Sequence, residues 1–68
     1  MNKEVTSNRK LYELRKKRGE TQREVAESVG ISESAYNSYE TGQRTPRDDV
    51  KERLAKHFNR TVQFLFFS

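Results

Sequence analysis

Residues Thr21 to Gly42 read TQREVAESVGISESAYNSYETG, and the spacing of apolar side chains in this stretch decides how the chain folds. Val25, Ala26, Val29, Ile31, Tyr36 and Tyr39 are apolar or small among polar neighbours, and within each half they recur at helical intervals. Thr21 can cap a first helix, and Glu24 three residues on completes a capping box that satisfies orphan amides from both directions. That helix is expected from about Gln22 to Val29. Gly30 follows the last periodic residue, where a chain leaving a helix often takes the left-handed backbone angle that costs glycine little. Ser32 then caps a second helix. Ala26 falls on the inner face near the turn, where a small side chain lets two steeply crossing helices approach closely.

The flanks extend the same pattern. Met1 to Ser7 have no apolar period and read as an N-terminal arm, with Ser7 or Asn8 capping a helix that ends before Gly19 and turns Leu11 and Leu14 inward. Thr41 to Pro46 contain glycine and proline and read as a loop. Pro46 biases Thr45 away from helical geometry and suits the opening of a fourth helix, which is expected to end near Asn59. Thr61 can cap a short fifth helix through Phe66. The expectation is an all-α fold of five helices with no strand, an arm over residues 1–7 and one domain over residues 8–67.

A chain of 68 residues is expected to make one small domain, with no room in it for a separate sensor domain. With hydrophobic residues at 31%, the core must be thin. It is expected to comprise Leu11, Leu14, Val25, Ala26, Val29, Ile31, Tyr36, Tyr39, Val50, Leu54, Phe58, Val62 and Leu65. There is no cysteine for a disulfide or thiolate site, and no apolar run near the roughly 20 residues of a membrane span, so a cytoplasmic protein is the default. A net charge of +4 and a pI near 9.7 point to an anionic partner. The positive charge clusters at Arg9, Lys10, Arg15, Lys16, Lys17, Arg18 and Arg23, with a smaller group at Arg44 and Arg47.

With these residues in view, the Thr21–Gly42 stretch resembles the Cro/C1-type helix-turn-helix family of bacterial and phage regulators, also called lambda-repressor-like or xenobiotic-response-element proteins. LYELRKKRGETQ is similar to that family's first helix, YETGQRTP to its loop after the recognition helix, and VKERLAKHFNRTVQFLF to its fourth and fifth helices. The resemblance runs from about Asn8 to Phe67. It implies a sequence-specific transcriptional regulator, of a phage or mobile-element repressor type, that binds double-stranded DNA as a homodimer on a two-fold symmetric operator.

A helix fits the major groove of duplex DNA, where residues on its first exposed turns reach base edges. Ser32, Glu33, Ser34, Asn37 and Ser38 occupy the exposed face of the recognition helix, and the resemblance assigns base reading to Glu33, Ser34 and Ser38 in particular. Glu33 can accept from cytosine N4, and Asn37 can pair with adenine through two hydrogen bonds. A carboxylate near phosphates is repelled unless compensated, so Glu33 can equally act by rejecting wrong sites. Phosphate contacts are expected from Gln22, in the family's role at the helix start, and from Arg23, Arg44, Thr45 and Arg47. The resemblance also pairs Arg15 with Glu40 in an intramolecular ion bridge that locks the recognition helix to the scaffold.

The chain departs from the family pattern at Glu20, Asp48 and Arg60, where apolar residues are usual. A packing contact is expected to be missing at Glu20, and Asp48 is expected to cap a late-starting fourth helix while Val50 takes up the core contact. The run Phe64, Leu65, Phe66 and Phe67 is too dense for one short inner face, and Phe64 and Phe67 are the candidate dimer surface, the alternative being that the tail only closes the core. An enzyme has little to build on: one histidine, His57, expected at a helix end, no cysteine, no glycine-rich phosphate loop and no metal-ligand spacing. No cofactor, metal or small-molecule ligand is expected. The competing reading is a protein-interaction module on the same fold, an antitoxin, adaptor or anti-repressor whose exposed helix meets protein instead of DNA.

Overall fold

A computed structural model describes residues 8–67, so the expected arm over residues 1–7, with Ser7 as a possible cap, lies outside the described residues. The chain folds as α1 Arg9–Arg18, α2 Gln22–Val29, α3 Glu33–Thr41, α4 Asp48–Phe58 and α5 Val62–Phe66, and the described residues contain no strand. The helix boundaries follow from local chemistry. Asn8 Oδ1 accepts the Leu11 amide at 3.0 Å and caps α1. Thr21 and Glu24 form the full capping box of α2, with bonds of 3.0 and 2.9 Å. Gly30, at φ 78°, ends α2 in the left-handed region, and the next amide, of Ile31, reaches back to the Ala26 carbonyl at 2.9 Å. Ser32 caps α3 through the Ala35 amide, and Thr61 caps α5 through the Phe64 amide, each at 3.0 Å. Asn59, at φ 57°, terminates α4 in a conformation that asparagine tolerates better than most residues.

One expected cap is corrected. Asp48 is the first residue of α4, not its cap, and the capping position is Arg47, whose side chain makes no capping bond. The first turn closes through the backbone, with the Lys51 amide on the Arg47 carbonyl at 2.9 Å. Asp48 and Asp49 then act by charge, since carboxylates in a first turn face the positive end of the helix dipole.

α2 packs on both α3 and α4, α5 lies on α4, and α1 meets α3. Leu11, Val25, Ala26, Val29, Tyr36, Tyr39, Val50, Leu54, Phe58 and Leu65 are buried, while Leu14, Ile31 and Val62 sit at the core edge, only partly covered. Ala55 joins the core beside Leu54, an inward position hidden in the sequence by its small side chain. Asn8 holds the closure together: its Nδ2 donates to the Leu65 carbonyl at 3.0 Å and its amide donates to the Glu40 carbonyl at 2.9 Å. One residue thereby joins α1, α3 and α5.

At Glu20 the missing contact is replaced by a polar one. His57 Nε2 lies 2.9 Å from the Glu20 carboxylate, and Arg18 Nε donates to the same oxygen at 3.1 Å. This clamps the α1–α2 turn to the last turn of α4. Burial would raise the Glu20 pKa, but the bonds to His57 and Arg18 outweigh it and hold the carboxyl below its ordinary range.

Candidate nucleic-acid interface

The core places α3 with Tyr36, Tyr39 and Glu40 inward and its opposite face in solvent. Ser32, Glu33, Ser34 and Asn37 are exposed, and Ser38 is partly covered. Two of these side chains are engaged locally: Ser32 by its capping bond, and Ser38 by an Oγ that donates to the Ser34 carbonyl at 3.1 Å. Such a back-bond leaves the hydroxyl oxygen able to accept. Glu33 and Ser34 stand on the first turn of α3 and face solvent.

The inner end of α3 is fastened by a buried carboxylate. Arg15 donates from Nε to Glu40 Oε2 at 2.8 Å and from Nη2 to Oε1 at 3.0 Å, two parallel bonds with side chains only 11% and 6% exposed. Arg15 Nη1 donates further to the Glu20 carbonyl at 3.0 Å, so the guanidinium also fixes the α1–α2 turn. The Tyr36 hydroxyl donates to Glu40 Oε2 at 2.8 Å, and Gln22 Nε2 donates to Oε1 at 2.9 Å. Burial alone would raise the Glu40 pKa, yet these donors hold the carboxyl below its ordinary range. The hydrogen bond to Glu40 pushes the Arg15 pKa up against the cost of burial, and burial together with the carboxylate pushes the Tyr36 phenol upward. The cluster is thus an ionised pair with every partner a donor.

Gln22 links this cluster to the exposed face. Its Oε1 accepts from Asn37 Nδ2 at 3.1 Å, which sets the start of α2 against the middle of α3. At the far end of α3, the Arg44 amide donates to the Ser38 carbonyl at 3.2 Å and holds the following loop to the helix. Arg44, Thr45 and Arg47 are exposed along this loop, with Arg47 Nε 3.7 Å from an Asp49 carboxylate oxygen. Arg23 is exposed and pairs with Glu27 at 3.4 Å, a contact open to water and cheap to exchange for another anion.

Not all of the basic stretch faces outward together. Arg9 pairs with Glu13 at 3.1 Å. Lys10 turns toward the other end of the chain, where its ammonium donates to the Phe64 carbonyl at 2.9 Å and lies 4.7 Å from the Phe64 ring. Phe64 and Phe67 are exposed at 41% and 64%. The buried Lys51 puts its ammonium 4.6 Å from the Phe67 ring and 5.8 Å from that of Phe66. Cations therefore lie against part of the aromatic tail.

Sequence reasoning missed the Tyr36 hydroxyl and the Gln22 amide as partners of Glu40. Tyr36 left a signal, standing four residues before Glu40 on the same helix face. Gln22 left none, because its contact to Glu40 crosses between two helices. The Glu20–His57 contact, across 37 positions of sequence, was equally invisible.

Two helices joined by a glycine turn, the second buried on one side and exposed on the other, define a helix-turn-helix within an all-α domain. A family model described as helix-turn-helix matches residues 11–65, and the chain belongs to that family, of the Cro/C1 type. Over 49 residues the chain is 37% identical to the cryptic phage CTXphi transcriptional repressor RstR of Vibrio cholerae. That alignment covers 72% of this chain and 44% of the relative, so the chain matches less than half of that protein's length. No solved structure matches the chain.

Proposed function

We propose that this chain is a sequence-specific repressor of transcription that binds double-stranded DNA in the cytoplasm, with α3 in the major groove, as a homodimer on a two-fold symmetric operator. The observation that carries the reading is the exposed first turn of α3, fastened from behind by the Arg15–Glu40 pair and flanked by the N-terminus of α2. A reading helix must be rigid relative to the groups that grip the backbone, and this one is tied to both. Membership of the helix-turn-helix family and likeness to a phage transcriptional repressor support the same conclusion.

In this reading Ser32, Glu33, Ser34, Asn37 and Ser38 face base edges, while Gln22, Arg23, Arg44, Thr45 and Arg47 meet phosphates. Glu33, with no cation bonded to it among the described residues, acts by accepting from a cytosine or by rejecting sites that lack such a donor. Exposed Phe64 and Phe67 supply the surface between two copies. Gel-shift titration against genomic fragments at two salt concentrations tests the reading. Selective binding that weakens steeply with salt is expected; no binding even at low salt overturns it in favour of a protein-interaction module.

A further inference from the structure

We propose that Asp48 and Lys51 set how two copies of this chain meet, Asp48 of each copy accepting from Lys51 of the partner subunit beside the aromatic tail. The inference rests on the self-association reading above and deepens it, from an exposed apolar surface to a specific exchange of charges.

Lys51 is a cation that a single copy serves poorly. Its side chain is 11% exposed, yet its ammonium, with three hydrogens to donate, has no hydrogen-bond acceptor among the described residues. Its contacts are the Phe67 ring at 4.6 Å, the Phe66 ring at 5.8 Å and an Asp48 carboxylate oxygen at 3.9 Å, beyond hydrogen-bonding reach. Lys51 is also the fourth residue of α4, near the positive end of the helix dipole, where a cation is disfavoured. A charge withdrawn from water in such a place calls for an acceptor from outside the chain.

Asp48 has the opposite imbalance. It stands three residues before Lys51 on the same side of α4, and its side chain is 99% exposed. Among the described residues its one ion contact is the same 3.9 Å approach, so a carboxylate able to accept several bonds faces water.

Charge and symmetry together select a second copy as the occupant. Lys10 and Arg60 lie 4.7 and 6.0 Å from the Phe64 ring, and Lys51 lies against Phe66 and Phe67, so cations border the aromatic patch. A two-fold contact presents the same patch from both sides, and a patch with cations alone would repel its copy. The exposed carboxylate beside the withdrawn ammonium makes the patch complementary to itself. Across a two-fold axis the two bonds form together, each Asp48 on Lys51 of the partner subunit. An acidic peptide would satisfy Lys51 but set its own charge against Asp48, whereas a second copy satisfies both.

Sedimentation equilibrium on charge-exchanged chains tests the pairing, with circular dichroism to check that each variant is helical. Asp48→Lys changes an exposed side chain and is expected to weaken self-association roughly tenfold or more, because it sets four cations together across the axis. Lys51→Glu should do the same with four carboxylates. Mixed in equal amounts, the two variants are expected to form a heterodimer, since the lysines of one then face the carboxylates of the other. The double variant Asp48→Lys with Lys51→Glu should recover the homodimer. Glu27→Lys makes the same change of net charge on an exposed α2 side chain and is expected to leave association unchanged.

If Asp48→Lys weakens association no more than Glu27→Lys does, the pairing is overturned, and that comparison needs no change to the buried lysine. Folded single variants that dissociate and fail to associate when mixed overturn it equally. A wild-type chain that stays monomeric at every concentration overturns the self-association reading itself, a result distinct from a dimer indifferent to the exchange.

Discussion

Arg15 and Glu40 meet through two parallel hydrogen bonds of 2.8 and 3.0 Å across 25 positions of sequence, and both side chains are withdrawn from water. A surface ion pair in the same geometry would contribute under about 1 kcal/mol. Here removal of one partner strands the other: Glu40→Ala leaves a buried guanidinium, a Tyr36 hydroxyl and the Gln22 amide without their acceptor. The expected loss is about 3 to 5 kcal/mol. Thermal or urea denaturation of the variant measures it, and an unchanged melting temperature contradicts the pair's structural role.

Acid should act on this cluster and on the Glu20 carboxylate beside His57 and Arg18. Glu20 and Glu40 both have pKa values in the fold below the ordinary 4.5, because donors outweigh the effect of burial. Groups depressed in the folded state contribute stability that is complete above the unfolded pKa and disappears as pH falls through the folded one. The melting temperature is therefore expected to fall as pH drops below about 4.5, with protonation favouring the unfolded chain. Glu20→Gln removes one of the two groups and should make that acid limb shallower. An equal slope in wild type and variant would separate Glu20 from acid stability.

Much of the fold was legible because its signals are local. Thr21 with Glu24, Gly30, Ser32 and Thr61 each act within one turn, and each bounds a helix where expected. Asp48 shows the limit of that logic: the same carboxylate suits a cap or a first turn, and only the position of the backbone decides between them. The site was less legible. The Arg15–Glu40 pairing came from family resemblance, since nothing local joins residues on α1 and α3. The contacts of Glu40 with Gln22, of Glu20 with His57 and of Lys51 with the tail aromatics depend on how helices cross, which periodicity does not encode.

Gly30 separates the two motif helices at φ 78°. A Cβ added there would meet only Arg53 Nη1 at 3.6 Å, ordinary contact, so the cost of substitution is backbone strain and not a clash. Gly30→Ala is expected to destabilise the domain by about 1 to 2 kcal/mol. Calorimetry reads the loss directly. Gly30→Asn should recover part of it, because asparagine enters the left-handed region more readily; equal losses for alanine and asparagine would point to a cause other than backbone strain.

The aromatic tail offers the sharpest test of self-association. Phe67 is 64% exposed, with the Lys51 ammonium 4.6 Å from its ring, so a carboxylate introduced by Phe67→Asp arrives beside a cation and should cost the monomer little, within about 0.5 kcal/mol. Phe64 lies between Lys10 and Arg60, whose charged groups are 4.7 and 6.0 Å from its ring, and Phe64→Asp meets a similar surrounding. In an apolar interface between two copies the same carboxylates would be brought out of water, at a cost far larger than in the monomer. Both substitutions are therefore expected to leave the melting temperature of the monomer nearly unchanged while shifting sedimentation from dimer to monomer. Binding to a two-half-site duplex should fall with it, and binding to a single half-site should not. If sedimentation and fold are both unaffected by the two substitutions, the tail is a covering of the core and the dimer surface lies elsewhere.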